Sequence, residues 1–68
     1  MRVLVNGSPQ ELDAGSTLDT VVSSLPDAPQ GRGVAVALDG EVIPRGRWPS
    51  TQLGEGARVE VVAAVQGG

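Results

Sequence analysis

The 68-residue chain contains no cysteine, no histidine and no lysine. Without cysteine it can form neither a disulfide nor a thiolate metal site, and it has no nucleophilic thiol. Without histidine it lacks the base of a serine–histidine triad and an imidazole ligand for zinc. These absences argue against an enzyme with catalytic residues of its own and against a bound metal. Any reaction at this chain would therefore need a partner enzyme as its catalyst.

Positive charge and long apolar runs are also scarce. Five arginines stand against eight acidic residues, for a net charge of -3, which argues against nucleic acid as a partner because phosphate binding needs concentrated Lys and Arg. The longest apolar runs, residues 34–38 and 61–65, are far too short to cross a membrane, and no signal-peptide pattern opens the chain. We therefore expect a single soluble domain in the cytoplasm, with no nucleic-acid or membrane partner.

Alternating apolar residues predict strands over residues 2–5, 8–12, 34–38, 41–43 and 58–64. Asn6-Gly7 and Asp39-Gly40 each separate two of these strands. Both pairs favour type I′ hairpin turns, which require positive φ at their two central residues. Pro9 cannot donate a ladder hydrogen bond, so the second strand is expected at a sheet edge.

One short helix is predicted between the hairpins. Four apolar residues recur at i, i+3, i+4 and i+7 and mark a single face: Leu18, Val21, Val22 and Leu25. Ser16 or Thr17 is placed to cap the start of this helix, and Pro26 is expected to end it. The segment from residue 44 to 53 has no regular pattern beyond one possible 3₁₀ turn.

The resulting order, β-β-α-β-β-β, predicts an α+β protein. The first and last strands are the most apolar and are expected to lie side by side in the middle of a mixed sheet of about five strands, with the helix packed on one face. This arrangement is the ubiquitin-like β-grasp fold. We expect the domain to comprise residues 1–64 and to be followed by a flexible C-terminal tail, residues 65–68.

The chain ends in Gly67-Gly68, which has two interpretations. Two terminal glycines can be no more than a frayed end. Alternatively, because glycine lacks Cβ, the pair can thread a narrow slot and present its carboxylate to an enzyme. An ATP-binding partner could adenylate that carboxylate, and a sulfur nucleophile could then convert it to a thiocarboxylate.

Two other motifs have simpler explanations. Gly31-Arg32-Gly33 precedes a strand and not a helix, so a turn is favoured over a phosphate-binding loop. Trp48 lies near Arg45 and Arg47 and could be a partner contact, since Arg and Trp are common at interfaces. We favour the alternative in which Trp48 half-covers the core and the arginines are solvated.

The chain resembles the thiamine-biosynthesis sulfur carriers of the ThiS family over nearly its whole length. The matching residues are Asn6-Gly7, Thr17-Leu18, residues 34–45, Trp48, Leu53, residues 55–60 and residues 64–68. Asp39 stands where the family commonly has Asn, and Ala57 where it commonly has Asp. Both differences fall in predicted turns and leave the resemblance intact.

The resemblance implies a cycle in which Gly68 is the modified residue and this chain carries no catalytic residue. A ubiquitin-activating-like adenylyltransferase of the ThiF type, using ATP and magnesium, would adenylate Gly68. A cysteine desulfurase or another sulfur donor would then supply sulfur, and the thiocarboxylate would deliver it to a ThiG-type thiazole synthase. Gly67, Gln66 and Val65 would occupy the partners' tail groove, and the apolar sheet surface near the last strand would dock both partners. The carrier itself would bind no cofactor and no metal.

Three alternatives remain open on sequence grounds. A molybdopterin-synthase small subunit has the same tail chemistry and a different sulfur acceptor, although its first strand is more aromatic than this one. A ubiquitin-like protein modifier would use the same activation, and the absence of lysine excludes only chain-building on the modifier itself. A passive binding module would not need Gly67-Gly68 at all.

Overall fold

Within residues 1–25 and 33–63, which this computed structural model describes, five strands form one mixed sheet. Their order across the sheet is β2-β1-β5-β3-β4. The elements are β1 (Arg2–Val5), β2 (Ser8–Glu11), α1 (Leu18–Ser23), β3 (Val34–Leu38), β4 (Glu41–Val42), a 3₁₀ helix (Arg45–Ser50) and β5 (Arg58–Ala63).

The first and last strands are parallel neighbours at the centre of the sheet, as the sequence predicts. Leu4 pairs with Arg58 and Val5 with Val59, while β3 runs antiparallel to β5 on its other side. The two hairpins, β1–β2 and β3–β4, supply the outer strands. The predicted ubiquitin-like β-grasp fold is therefore confirmed, with β5 in the middle.

Both Asx-Gly pairs form the turns predicted for them. Asn6 and Gly7 have φ of 51° and 84°, and Asp39 and Gly40 have φ of 51° and 87°. Pro9 lies on β2, which is an edge strand as expected. Strands β2 and β4 each end one residue earlier than predicted.

The helix packs its predicted face into the core. Its three buried residues are Leu18, Val21 and Val22, and Leu25 packs against the same cluster. A helix of six residues is too short to be stable alone, so it depends on burying these side chains against the sheet. Each fully buried Val or Leu contributes roughly 1.5–3 kcal/mol.

The start of the helix differs from the sequence prediction. Thr17 occupies the N-cap position, but its side chain makes no capping hydrogen bond. The Thr17 hydroxyl lies 3.2 Å from that of Thr20, and Ser16 donates its hydroxyl to the carbonyl of Asp13 at 2.7 Å. The position of the cap was correct and the predicted side-chain bond was wrong, because both hydroxyls have other local partners.

Some predictions fall on parts of the chain outside the described residues. These include Pro26 as the helix terminator, Gly31 and Arg32 of the predicted turn, and the tail at residues 65–68. Gly33, the last residue of that turn, has a positive φ of 69°, which suits a turn glycine. No helix in the described ranges is long and apolar enough to span a membrane.

Candidate functional site

Strand β5 connects the centre of the sheet to the predicted sulfur-carrying tail. Its last residue, Ala63, pairs with Val34 at the start of β3. The predicted site residues lie beyond this point and outside the described residues: Val65, Gln66, Gly67 and Gly68. The structure describes the end of β5 at Ala63, which we call the root of the tail, and the sheet surface beside it.

The two sides of β5 are held differently. On one side, β3 pairs with β5 from Val59 through Ala63. On the other side, β1 reaches only as far as Val59, because the chain then turns into the first hairpin. The half of β5 nearer the tail is therefore paired with a backbone strand on its β3 side alone.

The Asn6 side chain fills part of this gap on the β1 side. Its backbone N–H donates to the carbonyl of Val59 at 2.8 Å. Its side-chain Oδ1 accepts the N–H of Val61 at 2.8 Å, and its Nδ2 donates to the carbonyl of Val61 at 3.3 Å. A single side chain thus binds both backbone polar groups of a β5 residue.

Asp39, in the second hairpin turn, makes a related contact at the opposite end of β5. Its backbone N–H donates to the carbonyl of Arg58 at 2.8 Å, and its Oδ1 accepts the N–H of Arg58 at 3.0 Å. Each Asx-Gly turn therefore has two roles, since it closes a hairpin and also holds one end of the central strand.

An apolar groove lies on the face of the sheet opposite the helix. Because Val36 points into the core, its neighbours Ala35 and Ala37 point outward, and their small side chains leave a depression. Val42 and Val62 flank it and are 69% and 64% exposed. The groove has a volume of about 260 Å³.

Two polar residues complete the wall of this groove. Glu60 pairs with Ala37 across the β3–β5 ladder and is exposed, and Asn6 lies at the end nearer β1. An apolar surface with one acidic side chain is suited to a partner that presents apolar residues and a cation. The groove lies on the sheet surface near the last strand, where the family resemblance implies that partners dock, and its lining residues were not predicted from the sequence.

A sequence model of the ThiS family matches residues 3–68, which include the terminal glycine pair. The chain belongs to the ThiS family. The match covers the described domain and continues through the residues predicted to carry the function.

Solved structures agree with membership of the ThiS family. A crystal structure of the thiamine biosynthesis protein ThiS from Geobacter metallireducens is 35% identical, covers all of both chains and superposes with a TM-score of 0.76. A solution NMR structure of a thiamine biosynthesis protein from the same organism is 31% identical, with a TM-score of 0.73. It covers all of this chain and 88% of the other.

A longer relative is also similar to this ThiS-family chain. A thiazole synthase from Magnetococcus marinus is 35% identical over 68 residues, which is all of this chain and 20% of that protein. The chain therefore spans about a fifth of the length of this curated relative.

Trp48 in this ThiS-family chain belongs to the core. It is 3% exposed, and its indole N–H donates to the carbonyl of Ile43 at 2.9 Å. Arg45 and Arg47 are exposed beside it. Trp48 belongs to the core as predicted, although it is buried more completely than the half cover expected, and the partner-contact interpretation of its side chain is wrong.

The contacts of Asn6 and Asp39 with β5 were missed by reasoning from the sequence. Both residues were identified only as turn formers. The available signal was that each Asx residue directly follows a predicted strand and directly precedes a glycine. A side-chain oxygen at that position can replace the backbone carbonyl that the turn directs away.

Proposed function

We propose that this chain is a sulfur carrier of thiamine biosynthesis, loaded with sulfur at Gly68 and unloaded by a thiazole synthase. The observation that carries the proposal is the ThiS-family match, which continues through Gly68. The fold adds a physical reason, because the strand that leads toward Gly67-Gly68 is the central strand of the sheet. Because β5 is paired with β3 through Ala63, the point at which the chain leaves the sheet has a fixed position.

Loading begins at the terminal carboxylate, which is a poor electrophile until it is activated. An oxygen of the Gly68 carboxylate attacks the α-phosphorus of ATP, pyrophosphate leaves, and an acyl-adenylate forms. With sulfide as donor, sulfur attacks the acyl carbon, AMP leaves, and the thiocarboxylate remains. With a cysteine persulfide as donor, an acyl disulfide forms first, and a thiol must reduce it to release the thiocarboxylate.

The catalysts of these steps belong to partners. The chain has no Cys, His or Lys, so it acts as a co-substrate and not as an enzyme. A ThiF-type adenylyltransferase supplies the ATP and magnesium site, and a cysteine desulfurase or another donor supplies the sulfur. The carrier itself contributes the Gly67-Gly68 tail and a surface by which each partner recognises it.

The apolar groove between Val42 and Val62 is that surface in our proposal. Both valines are largely exposed although they are apolar, so covering them removes apolar area from water and stabilises a complex. Glu60 gives the surface a charge that sets the orientation of the partner. The groove includes β5 itself, so a partner seated there lies beside the root of the tail.

The choice of thiazole synthase as sulfur acceptor rests on the longer relative. A polypeptide named thiazole synthase contains a stretch similar to the whole of this chain. A stretch similar to this chain therefore occurs in a protein named for thiazole synthesis. We therefore propose a ThiG-type synthase as the protein that receives sulfur from Gly68.

Intact-protein mass spectrometry tests the loading step. The carrier is incubated with ATP, magnesium, a ThiF-type enzyme and sulfide. We expect a mass gain that matches replacement of one oxygen by one sulfur, and no gain in a variant that lacks Gly68. No gain with an enzyme that adenylates its own cognate carrier would contradict the proposal. If loading succeeds but a thiazole synthase does not consume the thiocarboxylate, the acceptor is a different enzyme, as in the molybdopterin-synthase alternative.

A further inference from the structure

The side chain of Asn6 continues the ladder of β1 beyond the end of the β1 backbone. In a regular parallel ladder, the residue that donates to Val59 would accept the N–H of Val61 through its own carbonyl. Asn6 has φ of 51°, which begins the turn and directs that carbonyl elsewhere. Its Oδ1 accepts the Val61 N–H instead, and its Nδ2 serves the Val61 carbonyl. The amide group thus takes the place of one further peptide unit.

Within the described residues, Val61 is consequently the last residue of β5 whose backbone is hydrogen-bonded from the β1 side. The polar groups of Val59 and Val61 face β1, since successive residues of a strand alternate in the direction of their hydrogen bonds. The same alternation directs the backbone of Ala63 to this side, where β1 has already ended. Among the described residues, the contact of Asn6 with Val61 is therefore the hydrogen-bonded contact from the β1 side that lies nearest to Gly67-Gly68 in sequence.

We infer that Asn6 is a positioning residue for the tail, whose side-chain amide fixes the direction in which β5 leaves the sheet. The inference rests on the proposed function, because it concerns delivery of Gly68 to the activating enzyme. Backbone that is already ordered in the free carrier does not have to be ordered on binding. If β5 is less ordered at Val61 in the free carrier, it must be ordered when the enzyme binds. That entropy loss lowers the affinity of the enzyme for the carrier.

Asp39 provides a matched control within the same strand. It is also an Asx residue with φ of 51° that precedes a glycine, and it also accepts a backbone N–H of β5 through Oδ1. Its contact is with Arg58, at the end of β5 away from the tail. Loss of either side chain weakens the attachment of β5, but only loss of Asn6 weakens it near the tail.

The test compares Asn6→Gly with Asp39→Gly in the full-length chain. Glycine adopts positive φ readily, so both variants keep the turn conformation and remove only the side-chain contacts. Asn6→Asp is a third variant, which retains an acceptor for the Val61 N–H and removes the donor to its carbonyl. Circular dichroism melting confirms that each variant is folded before other measurements are made.

Amide hydrogen exchange measures the contact between the Asn6 side chain and the Val61 backbone without any enzyme. The Val61 amide should exchange roughly three- to tenfold faster in Asn6→Gly than in the unaltered protein, as expected for loss of one or two hydrogen bonds. The Glu60 amide, on the β3 side of the same strand, serves as the internal reference. An unchanged ratio of Val61 to Glu60 exchange overturns the inference, whatever the activity.

Steady-state kinetics with the ThiF-type enzyme measures how loss of this contact affects recognition of the carrier. In Asn6→Gly the KM for the carrier should rise about three- to tenfold with kcat unchanged, and Asn6→Asp should fall between this variant and the unaltered carrier. In Asp39→Gly the KM should stay within about twofold. An equal rise in both glycine variants, or no rise in either, overturns the positioning role. A rise in Asn6→Gly without faster exchange of the Val61 amide also overturns it, because that result would reflect the place of Asn6 in the groove wall. Failure of the unaltered carrier to form a thiocarboxylate contradicts the proposed function instead, and hydrogen exchange still decides whether Asn6 holds Val61.

Discussion

The indole N–H of Trp48 donates to the carbonyl of Ile43 at 2.9 Å, which ties the 3₁₀ helix to the segment that follows β4. The ring is 3% exposed and is the chain's one aromatic side chain. A large aromatic residue in a core otherwise made of small aliphatic side chains is expected to contribute more to stability than any of its neighbours.

Replacing Trp48 by Phe should therefore destabilise the domain. The variant leaves the Ile43 carbonyl without its donor, which costs about 1–3 kcal/mol. Thermal unfolding followed by circular dichroism should show a melting temperature lower by roughly 4–8 °C for each kcal/mol lost. Arg47→Ala, an exposed neighbour, is the control and should change stability by less than about 0.5 kcal/mol. Unchanged stability in Trp48→Phe together with weakened partner binding would make Trp48 an interface residue.

Replacing Val62 by Asp should weaken the binding of both proposed partners. Val62 is 64% exposed, so the change leaves the core intact and places a charge in the apolar groove. We expect Kd for the activating enzyme and for the thiazole synthase to rise by at least about tenfold, which corresponds to about 1.4 kcal/mol. Isothermal titration calorimetry measures both constants. Ser8→Asp adds the same charge on the exposed edge strand β2, and an equal loss of affinity there would show that net charge and not the groove is responsible.

Replacing Thr17 by Ala should have little effect on stability. An N-cap threonine that bonds the helix backbone contributes about 1 kcal/mol. The Thr17 side chain makes no such bond, so we expect a loss below about 0.5 kcal/mol. Urea unfolding of the variant beside the unaltered protein gives this difference. A loss close to the usual value would indicate that the threonine caps the helix in solution.

Replacing Gly68 by Ala should leave the fold unchanged and reduce sulfur transfer. In the proposed mechanism the tail is threaded through a slot of the partner, where a Cβ at this residue would clash. Misplacing a reacting group by about 1 Å can reduce the rate roughly a hundredfold. Mass spectrometry measures the rate of thiocarboxylate formation in the variant and in the unaltered protein. Melting curves of the two proteins test whether the fold is unchanged. Normal thiocarboxylate yield and normal sulfur delivery in the variant would contradict the threading argument.

Local signals in the sequence predicted most of the fold. Asn6-Gly7 and Asp39-Gly40 identified the hairpins because positive φ at two successive residues restricts the choice of amino acids so strongly. The helix face was predicted because Leu18, Val21 and Val22 repeat with the helical period. Each of these signals lies within a few residues of chain.

The features that the sequence did not predict depend on which strands become neighbours. Asn6 and Val61 are 55 residues apart in sequence, so their contact becomes visible only when β1 and β5 are known to pair. The groove has the same origin, because Val42 and Val62 reach one surface only through the register of β3 with both of its neighbours. The tail was predicted from its glycines and from the family resemblance, and it remains a prediction.

The central position of β5 has a consequence for biosynthesis of the protein. Among the five strands that the structure describes, the one in the middle of the sheet is translated after the other four, and β1 and β3 cannot complete the sheet without it. A nascent chain therefore cannot acquire its native fold until residues 58–63 have left the ribosome. Truncated products that stop before this strand should remain unfolded and be open to proteolysis.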